Sequence, residues 1–223
     1  MRVGIFGGTF DPIHVGHLIA AEGARTGLSL DEVLFIPAGQ PWFKTGRPMA
    51  AASHRLAMVR MAVASNPGFQ VSDLEILRPG PSYTVDTLRE LGETFGADAG
   101  LYVILGFDAL AELGRWHMPE RVLEMATVVG MRRPGSESFD PQWIEAVSPG
   151  ASERVVVLDG PLIDVSGVEL KRRVAEGKSI KYLVPEPVEG YIREHRLYTG
   201  EHWTSGSEAS PRVGATPPAG KGG

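Results

Sequence analysis

Short apolar runs alternate along the chain with longer segments in which apolar residues recur every three or four positions. The runs predict buried strands, and the longer segments predict helices that bury one face. The predicted strands are 2–6, 32–36, 69–71, 101–105, 127–131 and 155–158. The predicted helices are 53–64, 84–95, 166–176 and 185–195, with Ser53 as an N-cap and Gly96 as a C-terminal residue. This alternation predicts an α/β fold with a doubly wound parallel sheet.

Candidate chemistry follows three predicted strands. In such a sheet, ligands bind at the carboxyl ends of the strands, here after Phe6, Ile36 and Leu105. The first of these loops reads Gly-Gly-Thr-Phe-Asp-Pro-Ile-His-Val-Gly-His-Leu over 7–18. Its two glycines let the backbone approach a ligand closely and expose N–H groups to an anion. A helical pattern follows, so His14 and His17 share one face near a helix N-terminus, which predicts a phosphate site.

Simpler interpretations of this loop exist. Gly7-Gly8 alone would fit an ordinary tight turn, and His17 alone could be a packed histidine. The two histidines could also bind zinc, but the chain has no Cys, the spacing is not His-Glu-x-x-His, and no other compact ligand cluster is visible. Because the glycines and histidines occur together, the phosphate interpretation is favoured.

Residues 7–18 resemble the signature of the nucleotidylyltransferases with the paired-histidine motif H-x-G-H. The longer form G-G-T-F-D-P-I-H-x-G-H-L is similar to that of the bacterial nicotinate mononucleotide adenylyltransferases. The resemblance covers about residues 2–199 and is most specific at 7–18 and 80–88. It implies a Rossmann-like nucleotidylyltransferase fold and the reaction of ATP with nicotinate mononucleotide to give nicotinate adenine dinucleotide and diphosphate. Mg²⁺ would accompany ATP, held mainly by phosphate oxygens and water.

The same resemblance implies roles for individual residues, and it implies no metal ligand on the protein. The residues it assigns to ATP are Gly7, Gly8, Thr9, Phe10, His14, His17, Gly106, Asp108, Arg133, Ser166 and Lys171. Those it assigns to nicotinate mononucleotide are Thr9, Lys44, Tyr83, Thr84, Trp116 and His117. The expected catalytic residues are His14, His17 and Lys44. Without the resemblance, Lys44 would be a solvated lysine, Trp116 a half-buried aromatic and Asp108 a helix cap.

One segment departs from the family pattern. Residues 163–171 read Ile-Asp-Val-Ser-Gly-Val-Glu-Leu-Lys where the family carries I-S-S-T-x-I-R, so Ser166 keeps its hydroxyl while Gly167 and Val168 offer none. Lys171 replaces a forked guanidinium with a point charge. We therefore expect weaker ATP binding without loss of the chemistry, and a lower KM for ATP when Gly167→Ser, Val168→Thr and Lys171→Arg are combined.

Composition sets the remaining expectations. The 223 residues suit one domain over 1–200, followed by a Gly-, Ser-, Pro- and Ala-rich tail over 201–223 that is predicted to be disordered. A net charge of −5 argues against a general nucleic-acid binder, and no apolar run is long enough for a membrane span. The absence of Cys and of a secretory signal suits a cytoplasmic protein. The oligomeric state stays open, a homo-oligomer included.

Three alternatives to the main functional hypothesis remain. The acceptor could be nicotinamide mononucleotide, or both mononucleotides. The chain could be another adenylyl- or cytidylyltransferase, although the matches at 80–88 and at Trp116 argue against this. It could also be a degenerate nucleotide-binding regulator, which only the altered segment 166–171 favours.

Overall fold

The computed structural model describes residues 1–41, 48–132, 142–161, 163–200 and 203, and for 142–143 it describes the backbone alone. Six strands form one sheet: β1 Arg2–Gly8, β2 Glu32–Pro37, β3 Phe69–Val71, β4 Gly100–Gly106, β5 Thr127–Met131 and β6 Val155–Leu158. All neighbouring strands are parallel, in the order β3-β2-β1-β4-β5-β6. This is a doubly wound sheet, and its order reverses between β1 and β4.

Helices cover both faces of the sheet. They are α1 Val15–Gly27, α2 Ala52–Val63, α3 Leu74–Leu77, α4 Thr84–Phe95, α5 Phe107–Ala111, α6 Pro119–Met125, α7 Gln142–Glu145, α8 Gly167–Ala175 and α9 Glu186–Glu194. Within the described ranges, no helix is both long and apolar enough to cross a membrane.

The four central strands are largely buried on both sides, because successive side chains enter different cores. In β2, Val33 and Phe35 enter one core with residues of α1, α2, α8 and α9. Leu34 and Ile36 enter a second core with residues of α4 and α6. Continuous apolar strands of this kind are typical of parallel sheets covered by helices on both faces.

The predicted strands and the parallel sheet are confirmed, and so is α4 at both ends, where Gly96 takes a φ of 84°. The prediction of Ser53 as an N-cap is wrong. Helix α2 begins at Ala52, because the N–H of Arg55 already bonds to the carbonyl of Ala51 at 3.1 Å. The short helices α3, α5, α6 and α7 were not predicted, since four to seven residues are too few to show a helical period.

Candidate active site

A cleft of about 240 Å³ opens at the carboxyl ends of β1 and β4. Strand β1 pairs with β2 as far as Gly8, but its pairing with β4 ends at Ile5. The strands therefore part where the sheet order reverses, which is where doubly wound sheets bind ligands. The predicted ATP-binding residues that line the cleft are Gly7, Gly8, Thr9, Phe10, His14, His17, Gly106 and Asp108.

The two histidines lie at the start of α1. His14 is the N-cap residue and is buried, and its ring stacks on that of His17 with 3.7 Å between the ring centroids. Nδ1 of His17 accepts the backbone N–H of His14 at 3.2 Å. Because Nδ1 is an acceptor, the neutral ring carries its proton on Nε2, and Nε2 is its donor.

Packing of the motif explains two of its other residues. A Cβ on Gly16 would lie 3.1 Å from Nδ1 of His14, so the glycine makes room for the imidazole. Phe10 adopts a left-handed backbone, with a φ of 49°, and its buried ring meets the His17 ring edge-on at 5.1 Å between centroids. The ring of Phe6 also packs edge-on against the His17 imidazole, with 6.0 Å between the ring centroids. The orientation of His17 is therefore fixed by aromatic contacts as well as by the helix.

Two predicted phosphate ligands, Lys171 and Ser166, are not among the described residues that line this cleft. Lys171 donates from Nζ to Oδ2 of Asp11 at 2.7 Å, and only 15% of its side chain is exposed. Ser166 is the N-cap of α8, and its Oγ accepts the N–H of Glu169 at 3.3 Å. Their roles toward ATP stay predictions.

Gly167 meets the histidine loop at very close range. A Cβ built on it would lie 2.7 Å from the backbone oxygen of Asp11. A serine at 167 therefore requires the loop or α8 to move. The expected gain from combining Gly167→Ser, Val168→Thr and Lys171→Arg is not supported, because one of the three changes disturbs the loop that carries His14.

The sequence interpretation missed Arg55, which is fully buried. Its guanidinium donates to the carbonyl oxygens of Thr9 at 2.8 Å, Ala50 at 3.1 Å and Gly39 at 3.3 Å. Burial lowers the pKa of Arg55, and the nearby Asp11 opposes this shift. Arg55 thus joins the loops that follow β1 and β2. The available signal was an arginine within the apolar stripe of α2.

The predicted acceptor residues form a second group beside the second core. The rings of Tyr83 and His117 lie 4.4 Å apart, Trp116 packs against that core, and Thr84 begins α4. Ser82 connects this group to the loop after β2, because its Oγ accepts the N–H of Gly39 at 3.0 Å. Lys44 and Arg133 fall outside the described residues.

Behind the start of α4 lies a buried carboxyl group that the sequence interpretation also missed. Oε1 of Glu75 accepts the hydroxyl of Thr87, one turn into α4, at 2.7 Å. Burial raises the pKa of Glu75, while the hydrogen bonds from Thr87 and Ser82 oppose the shift.

We expect Glu75→Gln to flatten the pH dependence of stability. With its pKa raised above the ordinary 4.5, the folded protein holds this proton more tightly than the unfolded chain, so ionisation lowers the free energy of unfolding as pH rises above that value. Glutamine is always neutral and keeps a carbonyl oxygen for Thr87. Urea unfolding from pH 4 to 8 measures the effect, with the exposed Glu93→Gln as control. Parallel pH curves for the two variants would contradict this expectation.

Comparison with known proteins adds to this geometry. Residues 5–184 match the cytidylyltransferase-like family. A probable nicotinate-nucleotide adenylyltransferase of Thermomicrobium roseum is 49% identical over 197 residues, covering 88% of this chain and 91% of that protein. One from Roseiflexus sp. is 49% identical over 196 residues, covering 88% and 97%.

Solved structures show the same fold. The nicotinic acid mononucleotide adenylyltransferase of Plasmodium falciparum, complexed with NaAD, superposes with a TM-score of 0.72 at 19% identity, covering 88% of this chain and 97% of that one. The family model spans most of the chain, and the two relatives are nearly half identical to it over almost their whole length. The chain therefore belongs to the cytidylyltransferase-like family and, within it, to the nicotinate-nucleotide adenylyltransferases.

Proposed function

We propose that this chain transfers the adenylyl group of ATP to nicotinate mononucleotide. The 5′-phosphate of the acceptor attacks the α-phosphorus of ATP in line, the bond from that phosphorus to the bridging oxygen breaks, and diphosphate leaves. No covalent intermediate with the protein forms. The observation that carries this proposal is the lining of one cleft by the glycine turn, the paired histidines, and Gly106 and Asp108 where β4 meets α5.

In this mechanism the protein positions the phosphates and stabilises charge in the transition state. Nε2 of His17 donates to a phosphate oxygen, and His14 contributes beside it. The N-terminus of α1 adds its positive dipole end, and the backbone at Gly7 and Gly8 gives the triphosphate close access. Asp108, exposed in the first turn of α5, lines the cleft, and its proposed role is to bind the nucleotide.

The proposed role of Mg²⁺ is to arrive with ATP as part of the substrate. Within the described ranges, no group of three or more histidine or acidic side chains is placed to hold a metal ion. We propose that the cation is held mainly by phosphate oxygens and water, as Mg²⁺ commonly is. Lys44 is a further proposed contact to phosphate, and Arg133 is a proposed contact near the adenine. The proposed location of the reaction is the cytoplasm.

We expect nicotinate mononucleotide to exceed nicotinamide mononucleotide in kcat/KM by about tenfold or more. Helix α4 begins at Thr84 after a tyrosine, which is a poor N-cap residue, so its first N–H groups suit an incoming carboxylate. Hydrogen bonds to a charged group exceed neutral ones by about 1 kcal/mol or more, and 1.4 kcal/mol is tenfold.

A diphosphate-release assay with ATP and each mononucleotide in turn tests both proposals. Release with nicotinate mononucleotide supports the reaction. A higher kcat/KM for nicotinate mononucleotide than for nicotinamide mononucleotide supports the α4 site, and equal or reversed kcat/KM values would contradict the acceptor assignment. ATP binding without diphosphate release for any acceptor would favour a nucleotide-binding regulator instead.

A further inference from the structure

Four segments that are distant in sequence meet at the carboxylate of Asp11. Only 5% of this side chain is exposed. Oδ2 accepts Nζ of Lys171 at 2.7 Å, while Oδ1 accepts the hydroxyl of Tyr198 at 2.8 Å and the N–H of Ala50 at 3.1 Å. Asp11 lies three residues before His14, so these contacts connect α8, the segment after α9 and the segment before α2 to the histidine loop.

The surroundings of Lys171 hold its ammonium group against Asp11. The ring of Trp203 covers it at 4.9 Å from the centroid, and Trp203 in turn meets Tyr198 edge-on at 5.3 Å. If Lys171 turned to a phosphate in the cleft, the buried carboxylate would lose its ion-pair partner and keep only the nearby Arg55, which does not hydrogen-bond to it, and this is unfavourable.

Tyr198 contributes a stable donor on the other carboxylate oxygen. Burial, together with the neighbouring Asp11 carboxylate, raises the pKa of Tyr198, so the phenol keeps its proton. With Oδ1 already accepting two donors, Oδ2 suits the single point charge of a lysine better than the two-pronged approach of a guanidinium.

Helix α8 contacts the backbone of Asp11 as well. Gly167 and Lys171 are four residues apart and therefore share one face of α8. Gly167 allows the helix to approach the backbone oxygen of Asp11, because a Cβ at this position would lie 2.7 Å from that oxygen. Lys171 binds the side chain of Asp11. One helix face thus packs closely against the main chain of the loop and binds its carboxylate.

We propose that Lys171, together with Tyr198, is a positioning residue that holds the histidine loop through Asp11, and that it is not a ligand of the triphosphate. This inference rests on the proposed function. Its physical content is that His14 and His17 reach the phosphates in the correct geometry only while Asp11 is held from both sides. Small displacements of catalytic groups are known to cost large factors in rate.

A double-mutant cycle with Lys171→Met and Tyr198→Phe tests this. Each single variant is expected to lower kcat by about tenfold with little change in the KM for ATP. The kcat of the double variant is expected to be only slightly below that of the less active single variant. The control is Lys178→Met, which removes an exposed lysine paired with Glu176 and is expected to change nothing.

Other results would overturn the inference. A triphosphate ligand would raise the KM for ATP in Lys171→Met alone, with effects that multiply in the double variant. A merely structural role would lower the melting temperature while kcat per folded molecule stays constant. If Lys171→Met does not fold, Lys171→Arg replaces it: a lower kcat at unchanged KM supports the positioning role, and a lower KM for ATP contradicts it.

Amide hydrogen exchange of residues 9–14 separates this inference from the proposed function, because it needs no turnover. Faster exchange in both Lys171→Met and Tyr198→Phe, but not in Lys178→Met, supports the positioning role even if no acceptor yields diphosphate. Unchanged exchange in both variants overturns it, whatever the activity of the native chain.

Discussion

His17→Ala is expected to lower kcat by about 10²–10³. Loss of one donor to a transition-state oxyanion typically has an effect of this size, about 2.7–4 kcal/mol. The reason here is the proton on Nε2, which follows from the acceptance of the His14 N–H by Nδ1. Single-turnover measurement of diphosphate release would show the loss directly, because it reports the chemical step.

Alanine at this position also removes the contact with the His14 backbone, so a second variant is needed. His17→Asn keeps a polar atom where Nδ1 accepts that N–H and removes Nε2. We expect His17→Asn to fold like the native protein, with some stability lost with the ring contacts of the imidazole, and still to lose most of the rate. His195→Ala, which removes an exposed histidine at the end of α9, serves as control. Native-like kcat in His17→Asn would remove Nε2 from the mechanism.

Arg55→Met is expected to have the largest effect on stability, about 3–5 kcal/mol, comparable to breaking a buried ion pair. Three carbonyls, of Thr9, Gly39 and Ala50, lose their donor at once. The contact to Thr9 is buried and the other two are partly buried, and a buried unsatisfied group costs about 1–3 kcal/mol. For a chain of this size, such a loss corresponds to a fall in Tm of about 6–20 °C. Activity should fall with it, since the loop that carries the histidines loses the contact that joins it to the loop after β2.

Urea unfolding of Arg55→Met beside Arg60→Met separates this effect from a general loss of charge on α2. Arg60 is 57% exposed and pairs with Asp73 at the surface, so its removal is expected to cost less than about 1 kcal/mol. Arg55→Lys should be intermediate, because one ammonium group cannot reach three carbonyls. Equal unfolding free energies for the two methionine variants would mean that the guanidinium does not hold the loops.

The parts of the site that the sequence predicted are those made within one short segment. His14 and His17 are three residues apart, and their common face follows from helix geometry alone. The position of the loop at a strand end likewise follows from the apolar run that precedes it. The cleft could therefore be anticipated before any strand order was known.

The parts that were missed depend on contacts between distant residues. Arg55 reaches a carbonyl 46 positions away, and Lys171 reaches a carboxylate 160 positions away. No local periodicity indicates which partner such a side chain will meet. The family motif suggested phosphate for Lys171, which stays a prediction, but it gave no sign of the contact with Asp11. The strand order β3-β2-β1-β4-β5-β6 was open for the same reason, because it is decided by packing between elements.

The contact between Asp11 and Tyr198 also has a consequence for how the protein is made. The two residues are 187 positions apart, so the ribosome has synthesised most of the chain before the second one exists. The histidine motif is translated first, yet the donor that holds it is among the last residues that the structure describes. Catalytic competence is thus acquired late in synthesis, and a polypeptide released early carries the complete motif without its support.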